Sequence, residues 1–351
     1  MGFRMGLIFV AFVAVLAPES VRAQVVHGSL TTPDGRPMYG AMVTLVDSTG
    51  TRRAGGFSDV DGRFVIRAPG PGRFSIRAEL VGRITVTSAP RDLAAGDSVF
   101  HTMVGGERSN RLADVHIIEH DRCVTRPQGG VSTAALWEEA AKALRAASFV
   151  EESRMLRFRT ENYTRLRSTK RNYRRAHTDT VTLTASRPFA TRTPAELASE
   201  GYVERAEVEI VYHAPDHASL LSDEFVGSHC FFTRAGTGAD RDLIGLAFEP
   251  VEGREKPDVR GVFWMTRTGG ELRRLDYSYT GLDPAYTMKD GGGRLEFRRL
   301  PTGAWIVSKW WIRMPVVNMP GSLGPGRPRK PDVVAINEAG GRVLQTLPPR
   351  N

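Results

Sequence analysis

Residues Val25–Gly50 read VVHGSLTTPDGRPMYGAMVTLVDSTG. Two apolar runs, VVHGSL and AMVTLV, flank Pro33-Asp34-Gly35 and Pro37. Proline and glycine there oppose a helix and favour a tight turn, so the two runs are expected to be strands. Side chains alternate along a strand, which puts Met42, Thr44 and Val46 on one face and Val43, Leu45 and Asp47 on the other.

The same grammar continues to about Gly105. RFVIRA follows SDVDG, RFSIRAEL follows PGPG, and ITVTSAP and DSVFHTMV complete the set. Phe64/Ile66 and Phe74/Ile76 alternate with arginines and serine. Short alternating strands separated by strong turns predict a β-sandwich over residues 24–105. Asp59-Val60-Asp61-Gly62 has the opening of a calcium loop, but a strand begins at once and no distal glutamate follows. A hairpin turn is the expected reading.

These residues resemble the carboxypeptidase regulatory-like domain, a transthyretin-like sandwich. The likeness rests on Val25–Gly50 and on SDVDGRFVIRAPGPGRFSIRAELVGR, and covers about 80 residues. It implies an accessory module that accompanies peptidases, receptors and glycan-handling proteins and is not itself a catalyst. Its relation to a carbohydrate-binding-like fold implies glycan contact, for which Tyr39 and Phe57 are the loop aromatics.

The chain begins MGFRMGLIFVAFVAVLAPESVRA, a basic start followed by an apolar run from Leu7 to Ala17. That run is short for a bilayer span, and Val21-Arg22-Ala23 has the small-residue pattern of a cleavage site. Residues 1–23 are therefore expected to be a signal peptide. No cysteine lies close to the cleavage site, which argues against a lipid anchor, and no later apolar run is long enough for a transmembrane span. The expected location is the periplasm, the outer-membrane surface or the exterior.

At 351 residues the chain has room for two or three domains, and 25% charged residues fit a folded globular protein. The formal charge is +9, and removing Arg4, Arg22 and Glu19 with the leader subtracts +1 and leaves +8. A basic exported protein can meet anionic lipid or glycan. Export makes nucleic acid the weakest partner. In an oxidising compartment the two cysteines, Cys123 and Cys230, read as a disulfide. Closing that loop would stabilise the fold by about 4–5 kcal/mol in the chain-entropy model.

Residues 106–130 join the halves. Their stretch Asp114–Cys123, DVHIIEHDRC, contains His116, Glu119 and His120 in the order of a zinc-protease motif. The motif needs a helix, where residues four apart stack on one face. VHII favours a strand, on which the two histidines would stand about 13 Å apart. One zinc ion cannot bridge that gap. A second group of metal-competent residues, His213, Asp216, His217 and Asp223, is interrupted by Pro215, so a turn and then a short helix from about Asp216 are expected.

Residues 131–351 are expected to form an antiparallel β-rich domain with one packed helix. STAALWEEAAKALRAAS offers Ser132 as a cap and Leu136, Trp137, Ala140 and Leu144 along one face. Arg154–Arg175 carries nine basic residues and reads as a charged hairpin with a solvated strand face. Arg157, Arg159, Arg165 and Arg167 are its anion-binding candidates, because guanidinium pairs well with phosphate or carboxylate. ERAEVEIVYHAP reads as one strand. Hairpins follow at Thr268-Gly269-Gly270 and Pro301-Thr302-Gly303, and DVVAINEAGGRVLQTL reads as a final hairpin. Around Trp305–Met314 both faces are apolar: Trp305, Val307 and Trp311 against Ile306, Trp310 and Ile312. Trp264, Tyr277, Trp305 and Trp311 are the candidates to line a pocket.

ALWEEAAKAL, YHAPDHASLLSDEFVGSHCF, LIGLAFEPVEGR and GGRLEFRRLPTGAWIVSKWWIRMP are similar to runs in exported bacterial proteins that join a regulatory-like sandwich to a β-rich domain. The strand order is similar to the half-barrel of periplasmic lipoprotein carriers. No nucleophile elbow, Walker loop or dinucleotide fingerprint is present. The expectation is a non-catalytic envelope protein with no cofactor, no metal and no catalytic residue, binding a glycan, a lipid or another envelope protein. The alternatives are glycan binding by the sandwich and a zinc-dependent carboxypeptidase-type hydrolase.

Overall fold

The computed structural model describes residues 24–108, 131–168, 177–189, 191–205, 210–282, 291–318 and 332–349. DVHIIEHDRC lies outside them, so His116, Glu119, His120 and Cys123 are not placed.

The N-terminal part is the expected sandwich. Strands β1 (Val25–Thr31), β4 (Arg63–Arg67) and β8 (Ser98–Val104) form one sheet in the order β4-β1-β8. Strands β2 (Met42–Val46), β3 (Arg52–Phe57), β5 (Gly72–Glu79) and β6 (Val86–Thr87) form the other in the order β3-β2-β5-β6, and β7 (Arg91–Leu93) adds to β5. Val26, Leu30, Leu45, Phe64, Ile66 and Ile76 fill the space between the sheets. The Asp59 carboxylate accepts from the Asp61 and Arg63 amides at 3.0 and 2.8 Å, and Gly62 takes φ 74°. Asp59 is thus spent on closing a turn, which Gly62 completes in the left-handed region.

Every residue of β2 is buried, although a sandwich strand ordinarily shows one face to water. Val43 and Leu45 enter the sandwich core, whereas Met42 belongs to the core of the second domain. What covers that second face is helix α1 (Val131–Glu152), 22 residues and therefore about 33 Å long. Ser132 falls inside its first turn rather than before it.

The second domain is built on a nine-stranded antiparallel sheet. In chain order the strands are β9 (Arg157–Ser168), β10 (His177–Ala185), β13 (His229–Ala235), β14 (Leu243–Pro250), β15 (Asp258–Thr266), β16 (Leu272–Thr280), β17 (Gly292–Arg299), β18 (Trp305–Asn318) and β19 (Asp332–Leu347). In space the order is β10-β9-β19-β18-β17-β16-β15-β14-β13, an open sheet rather than a closed barrel. Between β10 and β13 the chain adds α2 (Pro194–Glu200), the hairpin β11 (Val203–Arg205) and β12 (Ile210–Tyr212), α3 (His217–Leu221) and α4 (Asp223–Ser228). The segment expected as a single strand, ERAEVEIVYHAP, instead contributes to two paired strands, with Glu204 opposite Val211.

Helix α1 crosses the sheet. Trp137 near its start packs on Phe231 and Phe263, and Val150 near its end packs with Phe158, Ile306 and Val343. Leu136, Ala140 and Leu144 are fully buried toward the sheet, as the periodicity predicts. The opposite stripe is buried too. Glu139 accepts from the Gly82 amide at 2.6 Å, and Lys142 donates to the Arg83 carbonyl at 2.6 Å and to Glu139 at 2.9 Å. Arg145 reaches Glu79 at 2.7 Å, and Arg299 donates to the Tyr39 carbonyl at 3.1 Å. The helix is thus a layer shared by sandwich and sheet.

Two expectations about strands are corrected. DVVAINEAGGRVLQTL is one 16-residue strand, not a hairpin. Gly340 and Gly341 are bare because rings cross them: a Cβ on Gly341 would lie 2.5 Å from the Trp310 ring, and one on Gly340 would lie 2.8 Å from the Tyr163 ring. Trp305 and Trp311 do not share a face. Glu296 pairs with Lys309 but Phe297 with Val307, so Ser308 is an extra residue that shifts the alternation. Trp305, Val307 and Trp310 pack on the helix-facing core, and Trp311 points to the other side.

Candidate functional site

The sheet face opposite α1 holds a groove of about 630 Å³. The register defines its floor. One row runs Phe232, Ala247, Val262, Asp276, Arg294, Trp311 across β13 to β18, and continues through Gly340 to Tyr163 on β9. Alanine, valine and glycine stand between larger neighbours in this row, and their small size leaves the trough. Arg234, Arg260, Arg294 and Arg313 supply its cations; Glu249 and Asp276 supply its carboxylates.

The charges are unevenly matched. Asp276 bonds both Arg274 at 2.9 Å and Arg294 at 2.5 Å. Arg274 also pairs with Asp240 at 2.6 Å, and these bonds raise its pKa against the opposing effect of burial. The same contact holds the Asp240 carboxyl below its ordinary range. Arg313 pairs with Glu338 at 2.6 Å and lies over the Trp311 ring at 4.2 Å. Glu338 also accepts from the Tyr163 hydroxyl at 2.9 Å. Burial and that bond push the Tyr163 pKa up to about 12. Among the described residues Arg234 and Arg260 have no acidic partner; Arg260 reaches only the Ser278 hydroxyl at 3.3 Å. Guanidinium groups pair well with carboxylate or phosphate, so these side chains have the chemistry to meet an anion.

Of the residues singled out from the sequence, Trp311 and Tyr277 line this groove. The Tyr277 ring itself turns into the helix-facing core and lies across Gly293. Trp264 stands on the groove side one row away, under Arg274 at 5.5 Å. Trp305 is buried in the core. Arg157, Arg159, Arg165 and Arg167 lie on alternate positions of β9, the strand carrying Tyr163. Arg165 stacks on Tyr163 at 4.7 Å and is paired in register with Glu338, which joins this group to the edge of the groove. Arg157 instead donates to the Pro348 carbonyl at 3.1 Å. Arg234, Arg260 and Arg294 were not legible as a set, because they come from three strands spread over 60 positions of sequence.

The histidine group around Pro215 is dispersed. Asp216 caps α3 by accepting from the Ser219 amide at 2.8 Å. Asp223 sits in the first turn of α4, and His213 lies 3.9 Å from Glu204. His217 turns inward to Glu151 at 3.6 Å. Burial pushes the Glu151 pKa up to about 8 and lowers that of His217. Among the described residues no three His, Cys, Asp or Glu side chains converge as metal ligands. His229, fully buried, places one ring nitrogen 2.9 Å from the Phe225 carbonyl and the other 3.1 Å from the Val259 carbonyl, with Asp258 at 3.3 Å. That arrangement ties α4 to β15.

Of the two loop aromatics of the sandwich, Phe57 packs edge-on against Phe149 of α1, and Tyr39 accepts through its backbone carbonyl from Arg299 of the second domain. Cys230 is buried on β13.

Residues 25–103 match the carboxypeptidase regulatory-like domain family. The chain therefore carries that domain, with a β-rich segment after it. No curated protein matches the chain. Among solved structures it is similar to a streptococcal ancillary pilin at 9% identity and TM-score 0.21, over 46% of this chain and 47% of the pilin. It thus spans about half the length of that protein. A DUF1329 family protein from Desulfovibrio piger aligns at 11% identity and TM-score 0.24, over 57% of this chain and 92% of the other. A 9R-lipoxygenase from Cyanothece aligns at 10% identity and TM-score 0.19, over 96% and 44%. None of these values speaks to function.

Proposed function

We propose that the chain is a non-catalytic exported binding protein whose ligand is an acidic glycan held in the arginine-lined groove. The observation that carries this reading is the pair of groove arginines without acidic partners among the described residues, Arg234 and Arg260, in a groove also lined by Phe232 and Trp311. Carboxylate or phosphate groups on a sugar would satisfy the guanidinium groups, and the apolar faces of the rings would meet the aromatics. In this reading the regulatory-like domain braces α1 and holds the sheet, and does not touch the ligand. The four arginines and two carboxylates along the groove disfavour a lipid chain as occupant.

The reading includes export after removal of residues 1–23 and a disulfide between Cys123 and Cys230. Support for the latter is that no free cysteine occurs among the described residues.

The test is binding of the mature protein to a polyuronate oligosaccharide and to its neutral counterpart. Arg234→Ala with Arg260→Ala should weaken the acidic ligand about tenfold to a hundredfold, since a hydrogen bond to a charged group contributes about 1.5–3 kcal/mol. Equal binding of the neutral oligosaccharide, or no effect of the double substitution, would sink the assignment.

A further inference from the structure

Strand β10 ends the nine-stranded order, and among the described residues no strand pairs with its outer edge. Its last six residues read Thr-Val-Thr-Leu-Thr-Ala, with no charge, glycine or proline. Residues 179–187 are exposed on both faces of the strand, with Val181 at 53% and Leu183 at 49%. The strand at the opposite end, β13, differs in carrying a charge, Arg234, and a buried face, with Phe231 under Trp137 and Phe225. A long, uncharged, β-prone edge is what soluble proteins ordinarily blunt with lysine, proline or a bulge. None of those devices is present here.

We propose that this edge pairs with β10 of a second copy of the chain, antiparallel, about a two-fold axis at Thr182. A two-fold axis makes the contact self-complementary and closed, so one strand needs no other partner. In that register Val181 of one copy stands opposite Leu183 of the other, twice, and each pair covers apolar surface that α1 leaves bare. Asp179 falls opposite Ala185, so no like charges meet across the pairing. The two sheets become one, and the grooves over β13–β18 stay open at its far ends. The pairing is independent of the ligand reading.

The test is the mass of the mature full-length chain by size-exclusion chromatography with light scattering. Twice the chain mass is expected at tens of micromolar, falling to the single mass on dilution. Val181→Lys with Leu183→Lys should give the single mass at every concentration, with the melting of the dilute wild type, because both positions are solvent-exposed in the single chain. A wild-type chain that stays single at about 100 µM overturns the proposal, including the case in which the edge takes another protein's strand. So does a dimer that survives the lysines. Should the variant fail to fold, amide exchange on the wild type decides: slowing of β10 exchange about tenfold with rising concentration supports the pairing, and exchange independent of concentration refutes it.

Discussion

Lys142→Met removes the cation from the joint between the two domains while keeping most of the side-chain volume. Lys142 and Glu139 are each 3% exposed at the side chain, so the ion pair has almost no water to fall back on. In the variant the Glu139 carboxylate keeps the Gly82 amide but loses its counter-charge, and the Arg83 carbonyl loses its donor. Leaving one member of a buried pair uncompensated costs about 3–5 kcal/mol, whereas replacing both members is often close to neutral. Lys142→Met alone should therefore cost about 3 kcal/mol, and Glu139→Gln with Lys142→Met about 1 kcal/mol, with the lost hydrogen bond to Arg83 as the residue. Burial already raises the Glu139 pKa. An acid raised in the folded state keeps its proton at pH values where the unfolded chain has released it, so the native state is penalised as pH rises. The single variant, stripped of the lysine that opposes this shift, should lose its penalty as pH falls toward the unfolded value. Urea unfolding of the mature chain at pH 7.5 and 5, followed by tryptophan fluorescence and by circular dichroism, reads all of this. Because α1 belongs to both halves, the two signals should move together in one transition. A single-variant cost under about 1 kcal/mol, a double variant worse than the single, or separate melting of the sandwich would show that the joint does not couple the domains.

Glu151→Gln should stabilise the chain above neutral pH and leave it unchanged near pH 5. The Glu151 pKa is raised from 4.5 to about 8, so between those values the folded state holds a proton that the unfolded state has lost, and stability falls as pH rises. The neighbouring His217, Arg187, Asp216 and Glu152 stay in place, and after allowance for their rearrangement the gain near pH 9 should be about 2 kcal/mol. Thermal melts at pH 5 and 9 check it, and an equal shift at both would exclude this origin. For the disulfide, intact mass of the mature chain should rise by two hydrogens on reduction, and Cys123→Ser with Cys230→Ser should lower stability by about 4 kcal/mol. Alkylation of both thiols without a reductant would remove the bond from the account.

The elements whose rules are local could be read directly. Asp59–Gly62, Gly269–Gly270 and the Pro301–Gly303 turn all fall between strands as their chemistry demands. So does the amphipathic stripe of Leu136, Ala140 and Leu144. What could not be read is decided by partners far away in sequence. Gly340-Gly341 carries the signature of a turn, yet Tyr163 and Trp310 use those two bare positions to lie flat against β19. The alternation that placed Trp305 with Trp311 fails at Ser308, because a bulge answers to the neighbouring strand and not to the strand's own composition. Glu139, Lys142 and Arg145 look like the solvated side of a helix, and the loop after β5 of the sandwich covers them. The arginines of β9 came out as a charged strand face. Their link to Trp311 through Glu338 depends on β19, the last strand in sequence, inserting between β9 and β18.

That insertion also bears on how the charges of the basic face are matched. One row over from the groove floor, Arg234, Gly245, Trp264, Arg274, Glu296, Lys309, Arg342 and Glu161 follow one another from β13 to β9. From β16 onward its charges pair: Lys309 with Glu296 at 3.6 Å, Arg342 with Glu161 at 2.8 Å, and Arg274 with Asp240 and Asp276. At the β13 end of the same row Arg234 has no acidic partner among the described residues, and neither has Arg260 in the row on the other side of the groove floor. Unlike charges opposite each other favour a sheet, so these two cations are where an added anion gains most. Beside them small side chains leave the groove of about 630 Å³. Val262→Glu on the groove floor would place a carboxylate between the two rows, and it would compete with any acidic ligand for the same guanidinium groups.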